Sequence, residues 1–269
     1  MGIAYVARME VSEIPSATAA RERLIEGCGS MCHLLEQLLD SKGRVADEVH
    51  AIRKLGKSLR GGFSLFGLGK SSAREIQAIG RLLSATRDAA SRRNSWERLG
   101  WEGDSLVAAT IAGLLEQQTH SAARRPPPEA IAWCIERVDH AREALVALPA
   151  ETLEDTVAKG LLHLGKDVRK RVRRMHRRGE GDFHETRKAL KAYLGALGFL
   201  PSDEITPDPK MAGLAELLGD ENDLATLSEW LTGHGFTDRF APELWKKLKK
   251  TRRKLQSRAV DDARSIIRK

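Results

Sequence analysis

Histidine, arginine and lysine recur at one spacing in two stretches of this chain. His50, Arg53, Lys54, Lys57 and Arg60 fall at i, i+3, i+4, i+7 and i+10 of VHAIRKLGKSLRGGFSLF, and about 134 residues further on FHETRKALKAYLGALGFL repeats the pattern with His184, Arg187, Lys188 and Lys191. On a helix these positions form one continuous cationic face. Such a face suits phosphate: guanidinium forks grip its oxygens two at a time, and lysine supplies a mobile point charge. Like charges one turn apart destabilise an isolated helix by roughly a few tenths of a kcal/mol per pair. Each stripe therefore calls for counter-charge, from acidic neighbouring helices or from an external anion. Histidine titrates near pH 6.5 and a polyanion favours its charged form, so anion binding is expected to strengthen as pH falls. The histidines have a second reading, as structural donors to a carboxylate such as Glu48 or Asp182.

The elements that carry these stripes are amphipathic. Behind the first run Val49, Ile52, Leu55, Leu59, Phe63 and Phe66; behind the second, Phe183, Leu190, Tyr193, Leu197 and Leu200. Apolar residues keep helical spacing almost throughout, and no strand-type alternation of useful length appears, so the chain is expected to be all-α. Helices are predicted over about 16–41, 49–66, 71–93, 95–122 with a break near 100–104, 126–148, 151–178, 182–201, 209–231 and 237–269. Asp182 and Glu185 form a capping-box pattern at the start of the second stripe. The Arg-Arg-Pro-Pro-Pro run at 124–128 is the strongest linker signal. Residues 1–14 are read as a tail, 15–122 as a first helical half, 123–150 as a connector and 151–269 as a second half. Lys170, Arg173 and Arg177 of the helix over 151–178, and Lys246, Lys250 and Arg253 of the last helix, are further anion-binding candidates.

Lys and Arg number 45 against 37 Asp and Glu, and the net charge of +8 points to polyanionic partners. Five Trp, two Tyr and six Phe, mostly among apolar neighbours, leave few platforms for stacking unpaired bases. Cys28, Cys32 and Cys134 are too few for a disulfide framework. Cys28 and Cys32 beside His33 lack further ligands at zinc spacing and are read as core thiols. Residues 1–13 contain no sustained apolar run, and the longest apolar window, 105–115, is too short to span a membrane. A cytoplasmic protein without cofactor or metal is expected.

A second correspondence supports duplication: Leu82, Leu83 and Asp88 match Leu217, Leu218 and Asp223 at nearly the same offset. Here the chain resembles the conserved-histidine α-helical domain (CHAD) family. Its helix motif, His-x-x-Arg-x-x-x-Arg/Lys-x-Leu-Arg, is matched by His50, Arg53, Lys57, Leu59 and Arg60, and by His184, Arg187 and Lys191. Its Leu-Leu-Gly-x-x-Asn-Asp-Leu signature is similar to Leu217, Leu218, Gly219, Asn222, Asp223 and Leu224, with Arg87 and Asp88 in that place in the first half. The resemblance covers about residues 15–269. It implies two four-helix bundles related by a pseudo-twofold axis, a basic groove or pore that binds inorganic polyphosphate, and association with polyphosphate granules. Ser58 stands where the family often has Arg, and Ala192 and Leu194 replace cations of the second copy. The second stripe is thus the thinner one and is expected to contribute less.

Polyphosphate is a flexible chain of charge with no bases, so its binder needs only charge and geometry. In that reading Asp88 and Asp223 orient lining arginines or form helix-packing salt bridges. Nucleic-acid binding through phosphate contacts is the alternative. Phosphohistidine chemistry or metal-assisted hydrolysis lacks carboxylates clustered beside a nucleophile, so no enzyme is expected.

Overall fold

The periodicity that predicts helices also fixes which side of each is buried. In a computed structural model, described for residues 16–40, 44–178, 183–201 and 208–267, ten α-helices follow one another and no strand occurs among the described residues. They are α1 (Ala17–Asp40), α2 (Val45–Leu65), α3 (Ser72–Leu82), α4 (Ser84–Leu99), α5 (Ser105–Ala122), α6 (Pro128–Val146), α7 (Leu153–Arg178), α8 (Phe183–Leu197), α9 (Pro209–Gly233) and α10 (Pro242–Ile267). The expected tail, the interruptions at 42–43 and 179–181, and Asp182 of the capping box lie outside the described residues, as does the side chain of Arg177.

The apolar faces read from the sequence are the buried ones. Leu24, Cys28, Met31, Leu35 and Leu38 of α1 are buried, as are Val49, Ile52, Leu59 and Phe63 of α2 and Phe183, Leu190, Tyr193 and Leu197 of α8. These form the larger of two clusters, with α3, α6, α7, the first half of α9 and the end of α10. The smaller cluster is built from Trp96, Leu99, Ile111 and Leu115 on one side and Leu224, Leu227, Trp230, Leu231, Leu244 and Leu248 on the other. Each cluster therefore draws on both halves of the chain. The expected connector, α6, buries Ile131, Cys134, Val138, Ala141 and Leu145 against α1 and α3. Cys28 and Cys134 are core thiols, pushed up by burial to about 12 and about 11.

Several boundaries differ from the sequence reading: α2 starts at Val45 rather than near Val49, and α10 at Pro242 rather than near Thr237. The helix expected over 71–93 is interrupted at Leu83, and no interruption occurs at residue 94. At the first break, the Gly80 carbonyl in the last turn of α3 accepts a hydrogen bond from Arg53 Nη1, so the side chain of a distant helix satisfies an end carbonyl. The second helix instead runs to Leu99 and ends on Gly100, whose φ of 55° is the left-handed conformation that glycine adopts at no steric cost. Asp104 then caps α5, accepting from the backbone N–H groups of Leu106 and Val107.

The most extensive helix–helix packing joins α2 to α8, the two stripe-bearing helices. Glycine makes the crossing close. A Cβ on Gly61 would stand 2.6 Å from the Ala196 nitrogen and closer still to the Ala192 carbonyl, and one on Gly195 would stand 2.9 Å from Ser58 Cα. Backbone thus meets backbone there, and the cationic residues on both sides are drawn together.

Candidate functional site

Two cavities open at the α2–α8 crossing. The larger, about 590 Å³, is lined by His50, Arg53, Lys54 and Lys57 from α2, Arg187 and Lys191 from α8, Arg87 from α4, and Glu216, Asp220 and Asp223 from α9. The smaller, about 280 Å³, is lined by Lys57 and Arg60 from α2 and by His184, Arg187, Lys188 and Lys191 from α8, with Gln77 from α3. Lys57, Arg187 and Lys191 line both.

Burial and crowding set the electrostatics. The Lys57 ammonium is pushed down to about 8, first by burial and then by Arg87, Arg187, Arg53 and Lys191. Lys191 is lowered by burial and by Arg187, with Glu216 opposing. Burial also lowers Arg53, Arg60 and Arg187; guanidinium nonetheless stays charged. Nε of Arg53 and Nε of Arg187, at matching places in the two motifs, are buried and have no hydrogen-bond partner among the described residues. A buried donor without an acceptor costs about 1–3 kcal/mol, and an anion entering the cavity offers one.

Acidic groups hold Arg87 of the larger cavity and Arg98 beside it. Arg87 donates from Nη2 to Asp223 Oδ1 at 3.5 Å and lies 3.8 Å from Asp88, while Arg98 donates to Asp220 at 2.6 Å. Asp88 and Asp223 therefore both pair with Arg87. The histidines differ from one another. His184 Nδ1 donates to Asn222 Oδ1 at 2.8 Å, which leaves Nε2 for a ligand. His50 is exposed and has no hydrogen-bond partner among the described residues. Of the carboxylates suggested as structural partners, Glu48 lies 3.6 Å from Arg125, and Asp182 is outside the described residues. Glu185, the other half of the capping-box pattern, pairs with Lys188 at 2.9 Å and with Arg171 at 3.4 Å.

The outlying candidates separate. Lys170 and Arg173 lie on the exposed side of α7 and line neither cavity. Lys246, Lys250 and Arg253 line a further cavity of about 530 Å³ along α10 with Trp245 and Lys249. Arg253 also reaches a cavity of about 790 Å³ that has His184 in its wall. The sequence reading singled out neither Glu216, Asp220 nor Trp245, and it placed Lys249 in the basic run of the last helix without counting it among the site candidates. Arg87 and Asn222 carried a signal, since both occupy the signature positions. No group of three or more His, Cys, Asp or Glu among the described residues is arranged to hold a metal, and no described helix is long and apolar enough to cross a membrane.

The same fold is found in solved structures. The crystal structure of the CHAD domain from the plant Ricinus communis superposes with a TM-score of 0.64 at 19% identity, over 95% of this chain and 92% of that one. PptA from Streptomyces chartreusis superposes with a TM-score of 0.62 at 13% identity, over 94% of this chain and 98% of that one. No curated protein sequence matches significantly. The CHAD domain family model matches residues 31–232, well over half the chain, and the protein belongs to the CHAD family.

Proposed function

We propose that this protein binds inorganic polyphosphate at the α2–α8 crossing, as a receptor and without chemical change to the chain, in the cytoplasm and at polyphosphate granules. The family is associated with polyphosphate and its domain is in general a binding domain. The observation that carries the reading here is the gathering of half-buried Arg53, Lys57, Arg187 and Lys191 at one crossing, each lowered by burial and crowded by like charge. Such crowding is relieved by an anion that touches several of these groups at once. Cavities of about 280 and 590 Å³ are of a size that suits a slender flexible chain and are too small for a duplex to enter. A relation between the halves 15–122 and 151–269 about a pseudo-twofold axis belongs to the same proposal. In it, Gly61 and Gly195 mark the axis and the two unpartnered Nε atoms are its matched ligand groups.

The test is competition. Labelled polyphosphate bound at physiological salt is challenged with unlabelled polyphosphate, single-stranded DNA and duplex DNA at equal phosphate. The expected result is displacement by polyphosphate alone. Binding should also weaken linearly in log–log terms as salt rises, because each phosphate contact releases a counterion. Equal displacement by either DNA would replace this reading with general phosphate-backbone binding.

A further inference from the structure

The cavities share walls in sequence. The two at the crossing share Lys57, Arg187 and Lys191; the smaller of them shares His184 with the 790 Å³ cavity; and that one shares Trp245, Lys249 and Arg253 with the 530 Å³ cavity along α10. At the far end, Lys246, Lys249, Lys250 and Arg253 fall at i, i+3, i+4 and i+7 and are all exposed. That is the spacing of His50, Arg53, Lys54 and Lys57, and again of His184, Arg187, Lys188 and Lys191. The acidic groups on the way are largely committed. Glu221 accepts from Arg252 at 2.6 Å and from Gln256 at 2.9 Å, and Asp238 lies 3.8 Å from Lys249. Glu229 is the exposed carboxylate that remains on the path.

We propose that α10 carries a third cationic stripe, which captures the part of a long polyphosphate chain that leaves the crossing past His184, so that the protein discriminates by chain length. The inference rests on the polyphosphate reading above. A short chain satisfies the crossing alone. A long one reaches α10 as a tethered ligand, and that second contact costs no further loss of overall translational freedom.

The experiment compares tripolyphosphate with long-chain polyphosphate, at equal chain concentration, on the full protein. The variants are Lys249→Glu with Arg253→Glu, Arg187→Glu alone, and Lys210→Glu with Arg124→Glu. The last pair are exposed residues lining none of the four cavities, and they change the net charge as much as the α10 pair does. Wild type should bind the long chain at least about tenfold more tightly than tripolyphosphate, since linked contacts add avidity. The α10 pair should remove most of that advantage and leave tripolyphosphate affinity within about twofold of wild type, beyond a general charge effect measured by the control pair. Arg187→Glu should weaken both ligands. If the α10 pair weakens neither ligand, or weakens both no more than the control pair, the third stripe is wrong and the crossing reading stands. Should Arg187→Glu leave both affinities intact, the crossing reading itself fails, and the third stripe with it.

Discussion

The two cavities at the α2–α8 crossing share three cations and differ in what faces them. In the larger, the α2 stripe looks across at Glu216, Asp220 and Asp223; in the smaller, the α8 stripe and Arg60 meet no carboxylate among the lining residues. The richer stripe thus lies in the more compensated cavity, and the thinner stripe in the more purely basic one. Counting cations along a helix measures what it offers, whereas the field in a cavity depends on every element around it. Arg187 and Lys191, from the stripe expected to contribute less, stand in both cavities, while Arg53 stands in one of these two.

Breaking the crossing should disturb both cavities at once. Gly61→Ala puts a methyl group into the Ala192–Ala196 backbone, and overpacking of this kind costs about 3 kcal/mol where backbone must move. Chemical denaturation should show that loss, and polyphosphate affinity should fall with it because both cavities are displaced. An unchanged midpoint would mean that the helices have room to separate.

Next in size is charge reversal at the shared arginine. Arg187→Glu should weaken polyphosphate binding by about 2 kcal/mol, roughly thirtyfold, against about 1.4 kcal/mol, roughly tenfold, for Arg53→Glu. Titration calorimetry of the two variants ranks them. The reverse order would restore the ranking read from the sequence, with the α2 stripe dominant.

What separates the two arginines in this ranking lies beyond local spacing, for physical reasons. The stripes themselves were legible, because a 3.6-residue period places His50, Arg53, Lys57 and Arg60 on one face without reference to anything else. Their burial partners were legible for the same reason. What faces each stripe depends on α9, where Leu214, Leu217, Leu218, Leu224, Leu227, Trp230 and Leu231 are buried around much of the helix. That leaves no single polar face from which to infer that Glu216 and Asp220 look into a cavity. The Arg87–Asp223 pair joins residues in opposite halves, and local spacing carries no such information. The interruption at Leu83 was hidden likewise, since it involves Arg53 reaching Gly80 from another helix. His184 was legible as a candidate, but its hold on Asn222 was not.

A smaller effect concerns Lys57, which both cavities share. In the fold it keeps its proton only up to about pH 8, against 10.5 as its ordinary value. Between those limits the unfolded chain binds the extra proton, so the ligand-free protein should gain stability as pH rises through that window. Anion affinity should move the opposite way, falling as pH climbs past about 8, because the bound polyanion favours the charged amine. Lys57→Met should flatten this component of both profiles. Denaturation midpoints and affinities at about pH 7 and about pH 9 check the pair of signs; a wild-type profile identical to that of the variant would show that Lys57 is not the group that titrates.

Smallest is the relief of the acidic wall. Glu216→Gln with Asp220→Asn should raise polyphosphate affinity about threefold, since exposed charges contribute under about 1 kcal/mol each. Asp220 also gives up its pair with half-exposed Arg98, at little cost in stability. No gain in affinity would mean that the chain avoids the larger cavity and uses the smaller one alone.

In the proposed function, position at the crossing, rather than net charge, governs binding. Long-chain polyphosphate affinity of Arg187→Glu against that of Lys210→Glu, at physiological salt, tests it most directly. Both variants change the charge equally, and Lys210 is exposed at the start of α9, lining neither cavity. With helicity intact by circular dichroism, the expected result is a loss of about thirtyfold for Arg187→Glu and less than about twofold for Lys210→Glu. Equal losses would contradict it and leave a protein that attracts polyanions through its overall charge.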